Sequence, residues 1–414
     1  MEQAMGQTKN EKDKDAVGRF YMEFARMWMG QRGYSEAWRL QYLTDLTKLP
    51  DYEEGYGYGG RGWDYYPGSQ TTGAPVDEDG NPVFHKLPKS YQEAQSDGER
   101  WRWMLLQAVE MSPSLENEAL YTFAQFLHNQ FGVQTMRYYG AFFGRLDSDD
   151  TKKDESGPYD LFGLKEDETI ARLATGIKRF TMPDEFNYIK IYSKIAESEK
   201  SYWGEQSLNA LAGIFEDRRQ YDKAADYWKR SIAEYDPGPD NYKEKKVDQI
   251  LGNWGQFEPI MTQPAGKGAT VEFKFRNGKK VNFVAHEINI PQLLTDVKDY
   301  LKSNPQNLNW EKINIGDIGW LIVQKNQEKY VGKEVAKWSL DLKPRPYHFD
   351  KRETITTPLQ KAGAYLLTAT MENGNTSKII IWLDDTVIVK KQLDKAGYYF
   401  VADATTGKPL EKVN

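Results

Sequence analysis

Two domains of different class, an α-helical solenoid followed by an antiparallel β-sandwich, are what this sequence predicts. Three observations lead there. Apolar residues recur at helical spacing from Ala16 to about residue 245, a helix-pair pattern near the start returns near residue 210, and beyond residue 250 the period falls to two. A chain of 414 residues has room for two or three domains, each with its own core. Aromatic residues make up 14%, which separates the chain from disordered ones despite its polar balance. A net charge of −6 supplies no phosphate-neutralising field, so nucleic acid is not an expected partner. With Cys 0, disulfides, thiolate metal sites and cysteine nucleophiles are excluded.

Residues 1–14 predict a solvated tail. Met1 to Asp15 contains no apolar run of the signal-peptide kind, and no stretch reaches the length of a membrane span. Tyr21, Phe24, Ala25 and Trp28 lie on one face of a first helix, and Ala37 to Leu49, stopped by Pro50, predicts a second. Further helices are expected at Ser96–Glu110, Glu116–Gln130, Asp167–Phe180 and Phe186–Ala196. Leu208, Leu211, Ala212 and Phe215 then mark one more helix, and Ala224, Trp228 and Ser231 its partner. The two helix pairs agree in spacing: Phe24-Ala25 precede Ala37 as Leu211-Ala212 precede Ala224, and Pro50 and Pro237 follow their alanines at equal distance. This pattern resembles the tetratricopeptide repeat, with small residues Ala25, Ala212, Ala37 and Ala224 where helices cross. Long loops at 51–90 and 146–163 interrupt the helical domain, which is expected to span 15–250.

The second domain is expected over 251–395. Val271 to Phe275 alternates, Asn277-Gly278 turns, and Val281 to Val284 follows, which predicts a hairpin. A helix is expected near 291–303. Strands are expected at Gly319–Val323, Lys337–Leu342, Thr354–Leu359, Ala364–Met371, Lys378–Leu383, Thr386–Lys391 and Tyr398–Ala402, with Glu372-Asn373-Gly374 joining two of them. Trp338, Leu340 and Leu342 alternate, so that face is expected to point inward.

Four features of this region go together: the alternating Trp338 strand, Pro358-Leu359 at a strand end, Lys361-Ala362-Gly363-Ala364-Tyr365, and the run from Tyr398 through Asp403 to Gly407-Lys408-Pro409. Together they resemble a macroglobulin domain of bacterial alpha-2-macroglobulins. With the helical preamble (Asp97 to Trp103, Asn253 to Pro259), the chain is similar to the N-terminal part of the large planctomycete-type members of that protease-trap family. The resemblance implies that 396–414 begins a further macroglobulin domain. It also implies a periplasmic or cell-surface location, and partners among further macroglobulin domains or envelope proteins. The family's thioester needs a cysteine, so that chemistry does not carry over.

No residue pattern points to catalysis. His85, His128, His286 and His348 lack metal-ligand or triad spacing and read as strand-end or loop residues. Asp77-x-Asp79-Gly80-Asn81 has part of a calcium-loop pattern, but Pro88 stands where the bidentate glutamate belongs, so a solvated turn is expected. No catalytic residue, metal or cofactor is expected. The aromatic loop at 52–68 supplies the candidate protein-binding residues Tyr56, Tyr58, Trp63, Tyr65 and Tyr66. The expected function is that of a non-catalytic, protein-binding scaffold region. The alternative is a stand-alone tetratricopeptide-type adaptor for a protein or peptide.

Overall fold

The computed structural model describes residues 5–6, 8, 11–30, 73–139, 159–173, 175–198, 200–313, 322, 328–394 and 396–411. The chain divides into two compact units, Met1–Val247 and Asp248–Asn414. The first is mainly helical and the second mainly strand.

Helix α1 (Lys14–Gly30) buries Val17, Gly18, Tyr21, Met22 and Ala25. That face is turned slightly from the expected stripe, since Phe24 and Trp28 are only half-buried. Gly18 is the reason. A Cβ there would come 2.7 Å from that of Ser112 and 2.9 Å from the Ala108 oxygen. α1 therefore crosses the end of α2 (Asp97–Met111) almost backbone to backbone. Ser96 caps α2 by accepting from Glu99 N–H, while the Glu99 carboxylate accepts from Gln95 N–H, a variant of the reciprocal cap. α3 (Glu116–Phe131) follows and buries Phe123, Ala124, Phe126, Leu127 and Phe131. The expected second helix, Ala37–Leu49, lies outside the described residues.

The expected helix over Asp167–Phe180 is not formed. The segment is a hairpin, β1 (Glu168–Leu173) against β2 (Gly176–Thr181). Periodicity misleads here because the strand is buried on both sides. Thr169, Ile170 and Ala171 are consecutive buried positions, and the Thr169 hydroxyl donates to the Phe131 oxygen at 2.5 Å. A short fully apolar run does not separate strand from helix by period alone. A β-hairpin therefore interrupts the expected helical solenoid.

Asn187 caps α4 (Tyr188–Ala196) and fixes it to the hairpin by donating to the Glu166 oxygen at 3.0 Å. α5 (Tyr202–Asp217) and α6 (Tyr221–Glu234) form an antiparallel pair. Leu208, Leu211, Ala212, Phe215, Ala224, Trp228 and Ser231 are all buried, as their spacing predicts. The turn between the two helices ends α5 with Arg219 at φ 57° and with Gln220 N–H bonded to the Phe215 oxygen, a Schellman-type closure. The same turn holds the β1 lead-in. Gln220 donates to the Phe162 and Leu164 oxygens, and Arg218 donates to those of Lys165 and Glu168. α7 (Tyr242–Leu251) follows, and its Lys243, buried, pairs with Glu205 at 2.6 Å. Ala25 and Ala212 are both inaccessible. Ala25→Trp and Ala212→Trp are each expected to lower the unfolding free energy by about 1–3 kcal/mol through overpacking. Wild-type urea midpoints in both would show that these crossings are not close.

In the second unit, β3 (Trp254–Phe257), β5 (Thr270–Arg276) and β8 (Lys351–Thr356) form one sheet in the order β3-β5-β8. β4 (Gln263–Pro264), β6 (Lys280–Ile288), β7 (Val331–Asp341), β9 (Gly363–Met371) and β10 (Thr376–Asp384) form a second, in the order β4-β10-β9-β6-β7. All pairs are antiparallel except β4 with β10. Both sheets contribute to one core, with Phe257, Phe273 and Ile355 from the first and Phe283, Leu367, Met371 and Ile381 from the second. Trp338 and Leu340 are half-buried against this core, and Leu342 is buried in it. α8 (Ile290–Lys302) buries Leu293 and Val297, and Leu293 joins Ile288, Tyr330 and Leu366 in a separate cluster. Of the expected strand Gly319–Val323, all but Ile322 lies outside the described residues.

Asn277-Gly278 does not close a hairpin. β5 and β6 on either side of it belong to different sheets, so the turn carries the chain from one to the other. Asn277 takes φ 60°, donates to the Ile250 and Gly252 oxygens, and meets His348 Nδ1 at 2.8 Å through its Oδ1. These tertiary bonds hold the corner open where a local turn would pair its neighbours. Asn373-Gly374 does join β9 to β10, with Asn373 at φ 52°.

The last two strands stand apart. Among the described residues β11 (Thr386–Gln392) pairs with β12 (Gly397–Asp403) alone, as a two-stranded ribbon. β11 therefore goes with the segment after residue 395, where the sequence had placed it with the strands before.

Candidate functional site

The expected binding residues Tyr56, Tyr58, Trp63, Tyr65 and Tyr66 lie outside the described residues. Among the described residues the groups able to do chemistry are set in structural roles. His85 is buried against Phe126, and His128, in the last turn of α3, packs on Tyr188 at a tilt, with ring centroids 5.1 Å apart. Burial, reinforced by Arg102 and Arg218 respectively, lowers each imidazole from its usual 6.5 to about 4. The expected strand-end or loop setting thus fails for His128, which is helical because its ring completes the α3–α4 contact. His348 bonds Asn277 at the inter-sheet corner.

The Asp77 turn is closed from within. Asp77 Oδ1 accepts from the backbone N–H groups of Asp79 and Asn81, which holds its carboxyl below the usual range. The Lys178 ammonium donates to the Gly80 oxygen at 3.1 Å and to Asn81 Oδ1 at 3.3 Å. One oxygen of the calcium-loop pattern, Asn81 Oδ1, is thus taken by a side-chain cation, and Asp77 Oδ1 by backbone N–H groups. Among the described residues no group of three or more His, Asp or Glu is placed to hold a metal.

Two surfaces remain. One is a cleft of about 210 Å³ between α2 and α3, lined by Leu105, Leu106, Val109, Leu120 and Phe123 with Arg102 and Glu116 among its walls. Arg102 is engaged there, donating to the His85 oxygen and to Glu185 and lying 4.4 Å from the Phe123 ring centroid.

The other surface is the ribbon. Its register places Ile388, Val401, Lys390 and Tyr399 on one face and Val387, Ala402, Val389, Phe400, Lys391 and Tyr398 on the other. Ile388 is 61% exposed, Val389 54%, Tyr398 56% and Tyr399 57%. Both faces therefore expose large apolar side chains, with Lys390 on one and Lys391 on the other. A lone two-stranded ribbon is marginal in water and needs a third strand or a covering layer. The solvent-facing edge β7 shows the contrast, carrying Lys333, Glu334 and Lys337 at exposed positions as guarded edges do. In β11 the charges, Lys390 and Lys391, follow Val387-Ile388-Val389 instead of falling among them. The ribbon's far end is firmly made. Asp403 Oδ1 accepts from the backbone N–H groups of Thr405 and Thr406 and from the Thr406 hydroxyl. Leu410 N–H returns to the Val401 oxygen at 3.0 Å. Sequence reasoning found these strands but not their exposure. The visible signal was three consecutive apolar residues in each, since a half-buried strand would alternate.

No protein-family model matches the chain, and no curated protein matches it. Among solved structures it is similar to native alpha-2-macroglobulin from Escherichia coli spanning domains MG0-NIE-MG1, at 13% identity and TM-score 0.26, over 38% of this chain and 47% of that one. It is also similar to the structure spanning NIE-MG1 of the same protein, at 14% identity and TM-score 0.26, over 39% and 74%. The chain spans less than half the length of the first. Likeness of this degree assigns no activity.

Proposed function

We propose that this chain is a non-catalytic, protein-binding scaffold region of the macroglobulin type, with the helical unit as its tetratricopeptide-like part and the two sheets as a macroglobulin-like sandwich. The observation that carries this reading is the ribbon, which exposes large apolar side chains on both faces. The motif residues behind the sequence resemblance support it through their roles. Leu359 is in the shared core, the Tyr365 hydroxyl donates to the Lys361 oxygen at 2.9 Å, and Asp403 organises the Thr405-Thr406-Gly407 turn. The covering partner is a further macroglobulin domain or an envelope protein, at the periplasmic side or the cell surface. Among the described residues no helix is long and apolar enough to cross a membrane.

Affinity recovery from an envelope extract tests the binding. The intact chain is expected to retain a protein partner that Ile388→Lys with Val389→Glu loses, and deletion of residues 52–68 tests the aromatic loop. Equal recovery by all three would remove both surfaces from the proposal. The purified chain is also expected to show no hydrolytic turnover and no covalent adduct when incubated with proteases. Time-dependent covalent capture would overturn the non-catalytic reading.

A further inference from the structure

The ribbon has edges as well as faces. The outer edge of β12 is partly taken: Asp403 N–H donates to the Lys408 oxygen, Leu410 N–H donates to the Val401 oxygen, and Pro409 bridges Ala402. Among the described residues nothing bonds to the outer edge of β11, so the N–H and C=O groups that point away from β12 are open to another strand. The residues along it read Asp385-Thr386-Val387-Ile388-Val389-Lys390-Lys391, and all are exposed except Thr386, which is half-buried. An acid stands at one end, bases at the other, and β-branched side chains between. Such a strand is complementary to itself run backwards. In an antiparallel pair opposite residues point to the same side of the sheet, so two identical strands related by a twofold axis pair residues of like parity. With the axis at Ile388, Val387 lies opposite Val389, Thr386 opposite Lys390 and Asp385 opposite Lys391, each twice by symmetry. A shift of two residues sets Asp385 opposite Val389 or Lys391 opposite Val387, and in-register parallel pairing sets lysine on lysine.

We infer that β11 pairs antiparallel with the β11 of a second copy about a twofold axis at Ile388, joining two ribbons into one four-stranded sheet. Two strands alone are marginal in water, and four with apolar faces are not. The contact is isologous, so each copy uses the same edge and the assembly closes at two. The return of 408–410 along β12 limits growth at the outer strands. The edge serves the second copy, and the faces remain for the partner of the scaffold role.

The chain has no cysteine, so a single introduced one reports the register. Ile388→Cys is expected to give a disulfide-linked dimer on mild oxidation, since opposite Cα atoms in an antiparallel pair lie about 4.5–5.5 Å apart, within disulfide reach. Val387→Cys and Val389→Cys each sit two residues off their own counterparts, about 8 Å away, and are expected to stay unlinked. Sedimentation of the full chain is expected to show a reversible dimer. Lys391→Asp opposes acid to acid at two places and is expected to weaken association about tenfold, as is Asp385→Lys, while the two together restore it. A chain that stays monomeric at about 100 μM, equal linking at all three cysteines, or a doubly reversed chain no better than the single ones overturns the inference. Lys391→Asp keeps the apolar side chains of both faces, so recovery of an envelope partner is expected to survive it. If a monomeric chain loses that partner on Lys391→Asp, the edge belongs to the partner and the second-copy pairing falls while the scaffold role stands.

Discussion

Arg218→Ala is expected to lower the unfolding free energy of the helical unit by roughly 2–4 kcal/mol. Arg218 sits where α5 ends, and its two terminal nitrogens reach three acceptors: the Lys165 and Glu168 oxygens at 3.0 and 2.8 Å, and the Tyr188 hydroxyl at 3.1 Å. Those acceptors belong to the β1 lead-in, β1 and α4, so one side chain at the end of α5 ties the hairpin to the two helices that follow it. Burying the cation is unfavourable, and its Nε has no partner. Removing it therefore relieves one penalty while taking this donor from the Glu168 oxygen and leaving a void beside Tyr188; the Lys165 oxygen keeps the Glu168 N–H and the Tyr188 hydroxyl keeps Thr169. The three lost charge-assisted bonds and the void outweigh the relief. Arg218→Met fills the void without the bonds and is expected to fall between wild type and alanine. Because the guanidinium also suppresses protonation of His128, both variants should raise the titration midpoint of that imidazole. Urea unfolding followed through segments 168–181 and 188–217 provides the measurement. A change below about 0.5 kcal/mol for Arg218→Ala would mean that the carbonyls find water instead.

Legibility from sequence followed the range of the interactions involved. The ends of α2, α4 and α8 were readable because Ser96, Asn187 and Asn289 cap their own helices within three residues. The β9–β10 hairpin was readable because Asn373-Gly374 acts locally. Asn277-Gly278 has the same chemistry but serves partners at Ile250, Gly252 and His348, and nothing within five residues discloses them. The hairpin at 168–181 was lost for a related reason. Its helical reading ignored Thr169, whose hydroxyl is bonded 38 residues away. The candidate surface was half legible: two strands were expected where the ribbon lies, but an exposed apolar ribbon follows only from the pairing of β11 with β12 and, among the described residues, with no third strand. The buried setting of His85 and the ring packing of His128 were not legible at all. Both depend on which rings and guanidinium groups the helices bring together.

In the sheet unit the largest effect is expected at Phe273, where alanine should remove about 3–5 kcal/mol. Phe273 is inaccessible in β5, with ring centroids of Phe257, Phe283 and Phe275 at 5.3, 5.8 and 6.4 Å. Phe257 shares its sheet and Phe283 comes from the other, so this ring joins the two layers. Its space is borrowed from the neighbouring strand. A Cβ on Gly255 of β3 would come 2.4 Å from Phe273 Cζ and 2.9 Å from Met371 Sδ. An aromatic ring locked in a core cannot swing aside as a flexible chain end can, so Gly255→Ala alone is expected to destabilise by about 1–3 kcal/mol through overpacking. The two substitutions should then be coupled. Phe273→Leu shortens the side chain at the point of collision, and the added methyl of Gly255→Ala occupies part of the vacated volume. The double variant is expected to be more stable than the sum of the single effects by about 0.5–2 kcal/mol. Calorimetry of the four proteins closes the cycle, and the endotherm of the sheet unit should move while that of the helical unit stays in place. Strict additivity would mean that β3 and Phe273 are not in contact, and equal movement of both endotherms would mean that the two units unfold as one.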